Sequence, residues 1–212
     1  MKEKDILLAE VHHRVKNNMQ IISSLLHLQG EGIEDKDVLK VFEESRARVN
    51  SMALVHEQLY RSEEYAQIDF GKYVDHLATT LFNMYQIEAT QVQLQIDTRG
   101  IQLDLDKAIP CGLLLNELIT NSLKYAFPEG RKGKLWVILE LRKNNLVLTV
   151  GDNGIGIPAN LDIETTKTLG LQLVNLLVKH DLRGTLNLER KQGSQFQIVF
   201  PVGPYKDSFK KP

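Results

Sequence analysis

The sequence predicts an α+β protein in which an N-terminal helical hairpin is followed by an α/β sandwich. Up to about residue 66, apolar residues recur at three- and four-residue spacing, which is the period of an α-helix. Beyond that point helical and alternating patterns are mixed, and turn-forming residues become frequent. The length of 212 residues allows one large domain or two small ones at about 100–200 residues each. We therefore divide the chain into a hairpin over 1–65, a second domain over 66–203 and a polar tail over 204–212.

The hairpin is expected to consist of a helix from about Lys4 to Gln29, ended by Gly30-Glu31-Gly32, and a second helix from about Asp35 to Arg61. Their apolar stripes comprise Leu8, Val11, Val15, Met19, Ile22, Leu25 and Leu26 on the first helix, and Val38, Phe42, Val49, Met52, Val55 and Leu59 on the second. A single hairpin cannot enclose both stripes, so two hairpins are predicted to pair as a four-helix bundle in a homodimer. The alternative is that the hairpin packs on the rest of its own chain.

The second domain mixes helical and strand patterns. Helices are predicted over 70–84, 109–126 and 169–180, and strands over 92–98, 134–142, 146–150, 185–190 and 195–200. Short turns between consecutive strands, such as Lys143-Asn144-Asn145, indicate antiparallel pairing. Helices over one face of a mixed sheet make an α/β sandwich.

Composition excludes several classes of function. The net charge is −1, whereas proteins that bind nucleic acid or anionic membranes non-specifically usually carry a positive excess, so neither partner is expected. The only cysteine, Cys111, cannot form an intrachain disulfide and is predicted to lie in the core. No apolar run approaches the roughly 18–20 residues of a membrane span, and the N-terminus lacks the apolar core of a signal peptide. A cytoplasmic location is expected.

A polar ridge is predicted on the helix over 109–126. Glu117, Asn121 and Lys124 fall within about 60° of one another when residues are placed at about 100° per step around a helix. An amide oxygen can bind Mg²⁺ and an ammonium group attracts phosphate, so the ridge suits a metal-bound polyphosphate. A solvated helix face explains the same spacing equally well.

Glycine-containing stretches follow the predicted strand over 146–150. Asp152 precedes Gly154 and Gly156, which would bring backbone amides close to a ligand while the carboxylate accepts from an amino group. Gly170 precedes a helix whose N-terminus would offer unpaired N–H groups to phosphate. Ser194 stands in a turn that enters the last strand. Each stretch alone is also typical of an ordinary turn.

In this order, however, the four motifs resemble the ATP-binding domain shared by histidine kinases, gyrase-type topoisomerases, Hsp90-type chaperones and mismatch-repair ATPases, whose α/β sandwich is the Bergerat or GHKL fold. The resemblance covers about residues 66–202 and implies ATP and Mg²⁺ as ligands. It implies that Glu117 and Asn121 handle Mg²⁺ and phosphate, with Asn121 as the metal ligand, and that Lys124 lies near the phosphates. It further implies that Asp152 accepts a hydrogen bond from the adenine amino group. The remaining residues implied to contact the nucleotide are Tyr125, Gly154, Gly156, Gly170, Leu171 and Ser194.

The first helix carries Glu10-Val-His12-His13-Arg14-Val-Lys16-Asn17, which resembles the His-Arg-Val-Lys-Asn phosphoacceptor box of a histidine kinase subfamily, the HisKA_2 or HWE-like group. The stretch from Ser51 to Tyr60 also resembles that subfamily. The two resemblances together cover nearly the whole chain. They imply autophosphorylation by ATP and transfer to an aspartate of a response-regulator receiver domain.

Two histidines compete for the role of phosphoacceptor. His13 lies about 180° from the centre of the apolar stripe and should face solvent, whereas His12 lies about 80° away on its flank. A phosphoacceptor must be accessible, and the resemblance also places it directly before Arg14, so we predict His13 and interpret His12 as a packing residue.

Three polar residues share the predicted face of His13, namely Glu10, Lys16 and Asn17. Glu10 can hold the imidazole N–H so that the other nitrogen stays nucleophilic, and Asn17 can position water for the reverse hydrolysis. The other histidines show no metal-ligand clustering and are interpreted as structural; they are His27, His56, His76 and His180.

Three functions remain open at this point. The first is an ATP-dependent protein-histidine kinase. The second is a weakly nucleotide-binding phosphotransfer or phosphatase scaffold, which is favoured by a departure in the third motif: Thr168-Leu169-Gly170 lacks the first glycine of the Gly-x-Gly found in many members, and the short stretch from Pro158 to Gly170 predicts a small lid. The third, an anti-sigma-type serine kinase, is disfavoured by the hairpin. Chaperone- or topoisomerase-type ATPases are not expected, since no transducer domain follows Val202.

Overall fold

The computed structural model describes residues 2–60, 68–87, 90–166 and 168–202, without the side chains of residues 2–9, 11–13, 37, 40, 51 and 54–60. Predictions for the side chains of His12, His13 and His56, and for the tail over 204–212, therefore lie outside the described residues. The chain divides into two compact units, Met1–Ile68 with Leu103–Leu113, and Asp69–Gln102 with Leu114–Pro212. No helix of the described ranges is long and apolar enough to cross a membrane.

The first unit contains the predicted hairpin, with helix α1 over Lys2–Gly30 and helix α2 over Lys36–Tyr60. Both helices end within two residues of the predicted limits. Asp35 accepts a hydrogen bond from the backbone N–H of Val38 at 3.3 Å, which caps the start of α2. The helices are joined by Arg46, whose guanidinium donates to Nδ1 of His27 at 2.8 Å. Because arginine only donates, this ring nitrogen is the unprotonated one.

The apolar stripes of the hairpin are only partly covered within one chain. The half-buried members are Val15, Met19, Leu26, Phe42, Val49 and Met52. Ile22, Leu25 and Val38, which the pattern assigns to the inner side, are 47%, 54% and 44% exposed. Leu8, Val11, Val55 and Leu59 belong to the part of the stripes whose side chains are not described. The hairpin therefore leaves apolar surface that its own two helices do not enclose.

Three further α-helices follow within the described residues, and all three were predicted. Helix α3 spans Phe70–Met84, helix α4 spans Leu105–Asn121 and continues as a π-helical turn over Ser122–Ala126, and helix α5 spans Leu169–Leu176 with a π-helical turn over Leu177–Asp181. Helix α4 begins at Leu105, four residues before the predicted Ile109. Proline favours the first turn of a helix, but Pro110 lies inside α4.

The cysteine and the described histidines differ in burial and in their contacts. Cys111 on α4 is fully buried, as predicted, and burial raises the pKa of its thiol to about 12. His76 and His180 are exposed rather than packed. His27 has the structural role predicted for it, through Arg46.

The five-stranded sheet has the order β2-β4-β5-β7-β6. Its strands are β2 Val92–Asp97, β4 Gly133–Arg142, β5 Asn145–Asp152, β6 Thr185–Glu189 and β7 Ser194–Pro201. β2 runs parallel to β4, and the other neighbours are antiparallel. For β4 and β5 the short turn at Lys143 predicts this pairing. A separate pair, β1 over Ile68–Asp69 and β3 over Gln102–Leu103, is too short to show a sequence period and was not predicted.

One face of the sheet carries the core. Because side chains alternate along a strand, the strand register brings buried apolar residues of three neighbouring strands into rows. These residues are Leu135, Val137 and Leu139 on β4, Leu146, Leu148 and Val150 on β5, and Phe196, Ile198 and Phe200 on β7. The same alternation makes Asp152 the next residue of β5 on this face after Val150, at the end of the strand.

Candidate nucleotide site and phosphoacceptor helix

The candidate nucleotide site is built around the Asp152 carboxylate at the end of β5. Asp152 follows Leu148 and Val150 on the core face and is only 2% exposed. The β5–β7 register places Ser194 directly opposite Asp152. The Ser194 hydroxyl donates to Asp152 Oδ2 at 2.6 Å, so this contact follows from strand pairing. A buried carboxylate requires such donors, because burial without them is costly.

A second hydroxyl reaches the same oxygen from the helical layer. The Ser122 hydroxyl donates to Asp152 Oδ2 at 2.8 Å. Ser122 is the first residue of the π-helical turn that follows Asn121, and it is itself buried. Single π-helical turns are frequent at functional sites. Sequence analysis did not select Ser122, since nothing in its spacing marks it.

The loop after Asp152 packs closely against the π-helical turn. Gly154 donates its backbone N–H to Asp152 Oδ1 at 3.0 Å, and Ile155 donates its N–H to the Ala126 carbonyl at 3.0 Å. A Cβ at Gly154 would lie within 2.7 Å of three Ala126 atoms, so this close approach requires glycine. Gly156 has a φ of +77°, a conformation that glycine adopts readily. Gly154 therefore lets the loop pack on the π-helical turn, whereas Gly156 lets it pass close to the backbone of Gly193.

Asn153, which sequence analysis did not select, fixes the start of this loop. Its side-chain oxygen accepts the backbone N–H of Lys134 at 2.6 Å, and its own N–H donates to the Lys134 carbonyl at 3.2 Å. The side chain thus extends the pairing of β4 and β5 by one residue beyond Asp152.

The predicted polar ridge has a graded exposure. Glu117 is buried at 3% exposure, Asn121 is half-buried, and Lys124 and Tyr125 are exposed. The solvated-face alternative therefore does not hold for Glu117. The Lys124 ammonium lies 5.8 Å from the centre of the Tyr85 ring, within the range of a cation–π interaction. A carboxylate, an amide and an ammonium thus follow one another from the buried to the exposed part of this helical segment.

The third motif lies at the start of α5. Gly170 and Leu171 are buried in its first turn, and Leu169 is 53% exposed. Thr168 is the N-cap, but its side chain makes no hydrogen bond to the helix. Helices leave their first N–H groups without intrahelical partners, so this end can accept an anion.

The segment between β5 and α5 contains turns and bends, and no helix or strand among its described residues, 153–166 and 168. The Asp162 carboxylate accepts from the Glu164 N–H at 2.9 Å and the Thr165 hydroxyl at 3.0 Å, and these bonds hold the pKa of Asp162 below its usual value. Three side chains donate to backbone carbonyls of the segment: Asn175 to Ile163, Gln172 to Thr166 at 3.0 Å, and Arg190 to Leu161 at 2.6 Å.

The candidate phosphoacceptor box lies within α1. The backbone of His12 and His13 is helical, and their side chains are outside the described set. Glu10 is exposed and accepts from Nε of Arg14 at 2.9 Å, and Asn17 is exposed. One Glu10 oxygen therefore already has a partner one turn along the helix.

The donor set suits a magnesium–nucleotide complex. Asn121 offers a hard amide oxygen and Glu117 a carboxylate one helical turn away, and Lys124 offers positive charge to phosphate. Asp152 offers an anionic acceptor at the other end of the site. The second unit thus carries a carboxylate, an amide and an ammonium along one helical segment, and a second, buried carboxylate at the end of β5.

Two families match this chain. The family described as "Histidine kinase" matches residues 10–85, and the family described as "Histidine kinase-, DNA gyrase B-, and HSP90-like ATPase" matches residues 106–204. The sensor histidine kinase PdtaS of Mycobacterium tuberculosis is 31% identical over 203 residues, which cover 94% of this chain and 40% of that protein. The blue-light-activated histidine kinase 2 of Erythrobacter litoralis is 30% identical over 214 residues, which cover 96% of this chain and 59% of that protein. The chain thus spans only part of the length of these relatives.

Solved structures agree with these matches. The histidine kinase domain of the Erythrobacter litoralis EL346 blue-light activated histidine kinase has a TM-score of 0.66 at 26% identity, covering 95% of this chain and 93% of that one. A longer structure of the same kinase has a TM-score of 0.70 at 27% identity, covering 92% of this chain and 59% of that one. Both the predicted resemblance and the predicted α+β fold are confirmed, and the ATPase family implies ATP binding. The chain belongs to the histidine kinase family, with a histidine kinase region over residues 10–85 followed by an ATPase domain of the histidine kinase, gyrase B and Hsp90 type over residues 106–204.

Proposed function

We propose that the chain is the catalytic core of a two-component histidine kinase that uses ATP to phosphorylate itself on His13. The observation that carries this proposal is the buried Asp152 carboxylate at the end of β5, in a chain whose first helix holds the His13-Arg14 box. Residues 1–65 would form the dimerisation and phosphotransfer domain, residues 66–203 the ATP-binding domain, and residues 204–212 a tail. Because the donor is ATP, we place the reaction in the cytoplasm.

At the base end, Asp152 accepts a hydrogen bond from the adenine amino group. We assign Gly154 and Gly156 to the base end as well, because they belong to the loop that follows Asp152 and Gly154 donates its backbone N–H to the carboxylate. Ser194 holds the carboxylate in place from β7. Tyr125, which is 57% exposed, contributes its ring to the open side of the nucleotide site.

At the phosphate end, Asn121 holds Mg²⁺, and Lys124 lies near the phosphate oxygens. When bound, Mg²⁺ supplies positive charge that offsets the charge of the triphosphate. Glu117, buried one turn before Asn121, orients the metal ligands or the nucleophile. Gly170 and Leu171 open α5 and offer backbone N–H groups to phosphate. In phosphoryl transfer the protein mainly positions groups and stabilises charge, which is what these residues are suited to do.

His13 is the nucleophile. One imidazole nitrogen forms a bond to the γ-phosphorus as the bond between that phosphorus and the leaving ADP oxygen breaks. The proton on the other ring nitrogen is held by Glu10, which also accepts from Arg14. The phosphoramidate formed then passes its phosphoryl group to an aspartate, and Asn17 positions water for the competing hydrolysis. The first test is labelling with γ-labelled ATP and Mg²⁺ in wild type, His12→Gln and His13→Gln.

Three outcomes of that labelling are informative. Acid-labile, alkali-stable label that is lost only in His13→Gln supports both the activity and the acceptor. Loss only in His12→Gln keeps the activity and overturns the choice of face. Absence of label in all three proteins, despite ATP binding, favours a weakly nucleotide-binding phosphotransfer or phosphatase scaffold. That second function is supported by the Thr168-Leu169-Gly170 motif, which lacks a glycine at its first position.

We also propose that two hairpins pair as a homodimer. Ile21, Leu25 and Leu28 follow one another at helical spacing on α1 and are 58%, 54% and 60% exposed. On α2, Val38 and Val41 are 44% and 59% exposed. An apolar row of this kind in a helical hairpin is typical of a surface that a partner helix covers.

The dimer is tested by light scattering on wild type and Leu25→Glu. The wild-type chain is expected at twice the chain mass, and Leu25→Glu at the chain mass, because a carboxylate in the apolar row is costly to bury. Gln29→Glu, which adds the same charge at an exposed polar position of α1, serves as the control and should stay dimeric. A monomeric wild type would favour packing of the hairpin on its own chain.

The proposed partner is the receiver domain of a response regulator. A solved structure of the histidine kinase ThkA in complex with the response regulator protein TrrA has a TM-score of 0.55 at 20% identity, which is a likeness of fold. The proposal for this chain rests on the His13 phosphoramidate. Transfer of label from the phosphorylated chain to a receiver, abolished when the receiver aspartate is replaced by asparagine, is the expected result. No transfer to any receiver encoded beside the kinase would count against it.

A further inference from the structure

Most hydrogen-bond acceptor positions of the Asp152 carboxylate are filled by donors of its own chain. An ionised carboxylate has about four positions at which it accepts hydrogen bonds, two on each oxygen. Oδ2 accepts from the hydroxyls of Ser122 at 2.8 Å and Ser194 at 2.6 Å, so both of its positions are taken. Oδ1 accepts from the Gly154 N–H at 3.0 Å, so one position remains. A ligand amino group can therefore be accepted only at Oδ1.

We infer that Ser122 is a positioning residue for the nucleotide base, acting through Asp152, and this inference rests on the proposed function. By filling the second position on Oδ2, its hydroxyl fixes the plane of the carboxylate and directs the remaining position on Oδ1 towards the ligand. Without it, Oδ2 must find another donor, either by turning the carboxylate or by admitting water. Either response leaves the Oδ1 acceptor less well aligned.

Ser122 and Ser194 belong to different parts of the fold. Ser194 meets Asp152 through strand pairing alone, because the two residues are opposite one another in β5 and β7. Ser122 belongs to the π-helical turn and directly follows Asn121, the proposed metal ligand. The Ser122–Asp152 bond therefore ties the base end of the site to the phosphate end. It links two regions of the chain that are 30 residues apart in sequence.

The test compares two nucleotides that differ only in the amino group. ATP and purine riboside triphosphate carry the same triphosphate and ribose, but the second lacks the 6-amino group. In Ser122→Ala we expect the ATP dissociation constant to rise about fivefold, the equivalent of about 1 kcal/mol for one misaligned hydrogen bond. The dissociation constant of purine riboside triphosphate should not change, since it has no amino group to place.

Two further variants separate positioning from stability. Ser122→Cys keeps a weak donor of similar shape and should restore part of the ATP affinity. Ser45→Ala removes a hydroxyl that donates to the Val41 carbonyl in α2, at 2.8 Å, and should leave both affinities unchanged. Thermal unfolding of each variant shows whether the chain is folded at the temperature of the binding measurement.

The outcomes distinguish this inference from the function on which it rests. A wild-type chain that binds neither nucleotide overturns both. A wild type that binds ATP, with a Ser122→Ala variant that weakens both nucleotides equally, overturns the inference alone, because a merely structural role would affect both. Unchanged affinities in Ser122→Ala also overturn it. Weakening of ATP alone, with partial recovery in Ser122→Cys, supports it.

Discussion

The close contact between Gly154 and Ala126 predicts a large penalty for a single added methyl group. In Gly154→Ala the new Cβ would lie within 2.7 Å of the carbonyl oxygen, Cβ and carbonyl carbon of Ala126. Ordinary carbon contacts are at about 3.5 Å and the Ala126 Cβ would be only 2.4 Å away, so the loop and the π-helical turn must separate by roughly 1 Å. The N–H of Ile155 donates to the same Ala126 carbonyl at 3.0 Å. A separation of that size stretches this bond beyond hydrogen-bond range.

The expected loss of stability has two parts, the overpacking against Ala126 and the broken Ile155 hydrogen bond. Overpacking of a well-packed site costs about 1–3 kcal/mol, and one lost hydrogen bond costs about 1 kcal/mol. The free energy of unfolding should therefore fall by about 2–4 kcal/mol. For a protein of this size about 1 kcal/mol corresponds to a shift of roughly 2–4 °C in Tm. We expect Gly154→Ala to unfold about 5–15 °C below wild type.

The measurement is thermal unfolding followed both by far-UV circular dichroism and by the fluorescence of Trp136, the only tryptophan of the chain. Gly32→Ala is the matched control, because a Cβ at Gly32 would have no neighbour within 4 Å. Both variants reduce the entropy of the unfolded chain in the same way, so their difference isolates the contact with Ala126. Equal Tm values for the two variants would show that the loop does not pack on the π-helical turn as described.

Three further predictions concern the site and the fold around it. Asn121→Ala should abolish autophosphorylation while leaving Tm unchanged, since Asn121 is only half-buried; normal labelling would refute its assignment. Glu117→Gln should slow the single-turnover rate of phosphoryl transfer, and an unchanged rate would remove Glu117 from the mechanism. Asp69 caps α3 by accepting the Lys72 N–H at 3.1 Å, so Asp69→Ala should cost about 1 kcal/mol in denaturant unfolding. That bond holds the pKa of Asp69 below its usual 3.8, so the wild-type advantage should be complete above pH 3.8 and vanish as the pH falls through the lowered value; an advantage that persists at lower pH would contradict it.

The helices and strands could be read from the sequence because their periods are long and regular. Both hairpin helices and all five strands of the main sheet follow the predicted pattern. The start of α4 could not be read, because Pro110 signals a first turn although the helix begins at Leu105. The two π-helical turns were also missed, since no residue type distinguishes a π-helical turn from the α-helix that it continues.

The sequence indicated most residues of the candidate site but few of the contacts between them. Asp152, Gly154 and Ser194 stand out because glycines and a carboxylate at a strand end are unusual in sequence. Ser122 and Asn153 do not stand out, because their importance depends on partners far along the chain. The contact between Ser122 and Asp152 depends on how the π-helical turn packs against the end of β5. Glu117 lies on the same helical segment as Asn121 and Lys124, as predicted. Its burial was not indicated by the helical spacing.

These contacts explain why a charged residue is tolerated at the end of an apolar row. The alternation of β5 forces Asp152 onto the core face, where an unpaired carboxylate would be strongly destabilising. β7 supplies the Ser194 hydroxyl through its register, the loop supplies the Gly154 N–H, and the π-helical turn supplies Ser122. Three separate segments therefore stabilise one carboxylate, and each bond also constrains where its last free acceptor position points. The same bonds that allow the charge to be buried thus determine how it can recognise a ligand.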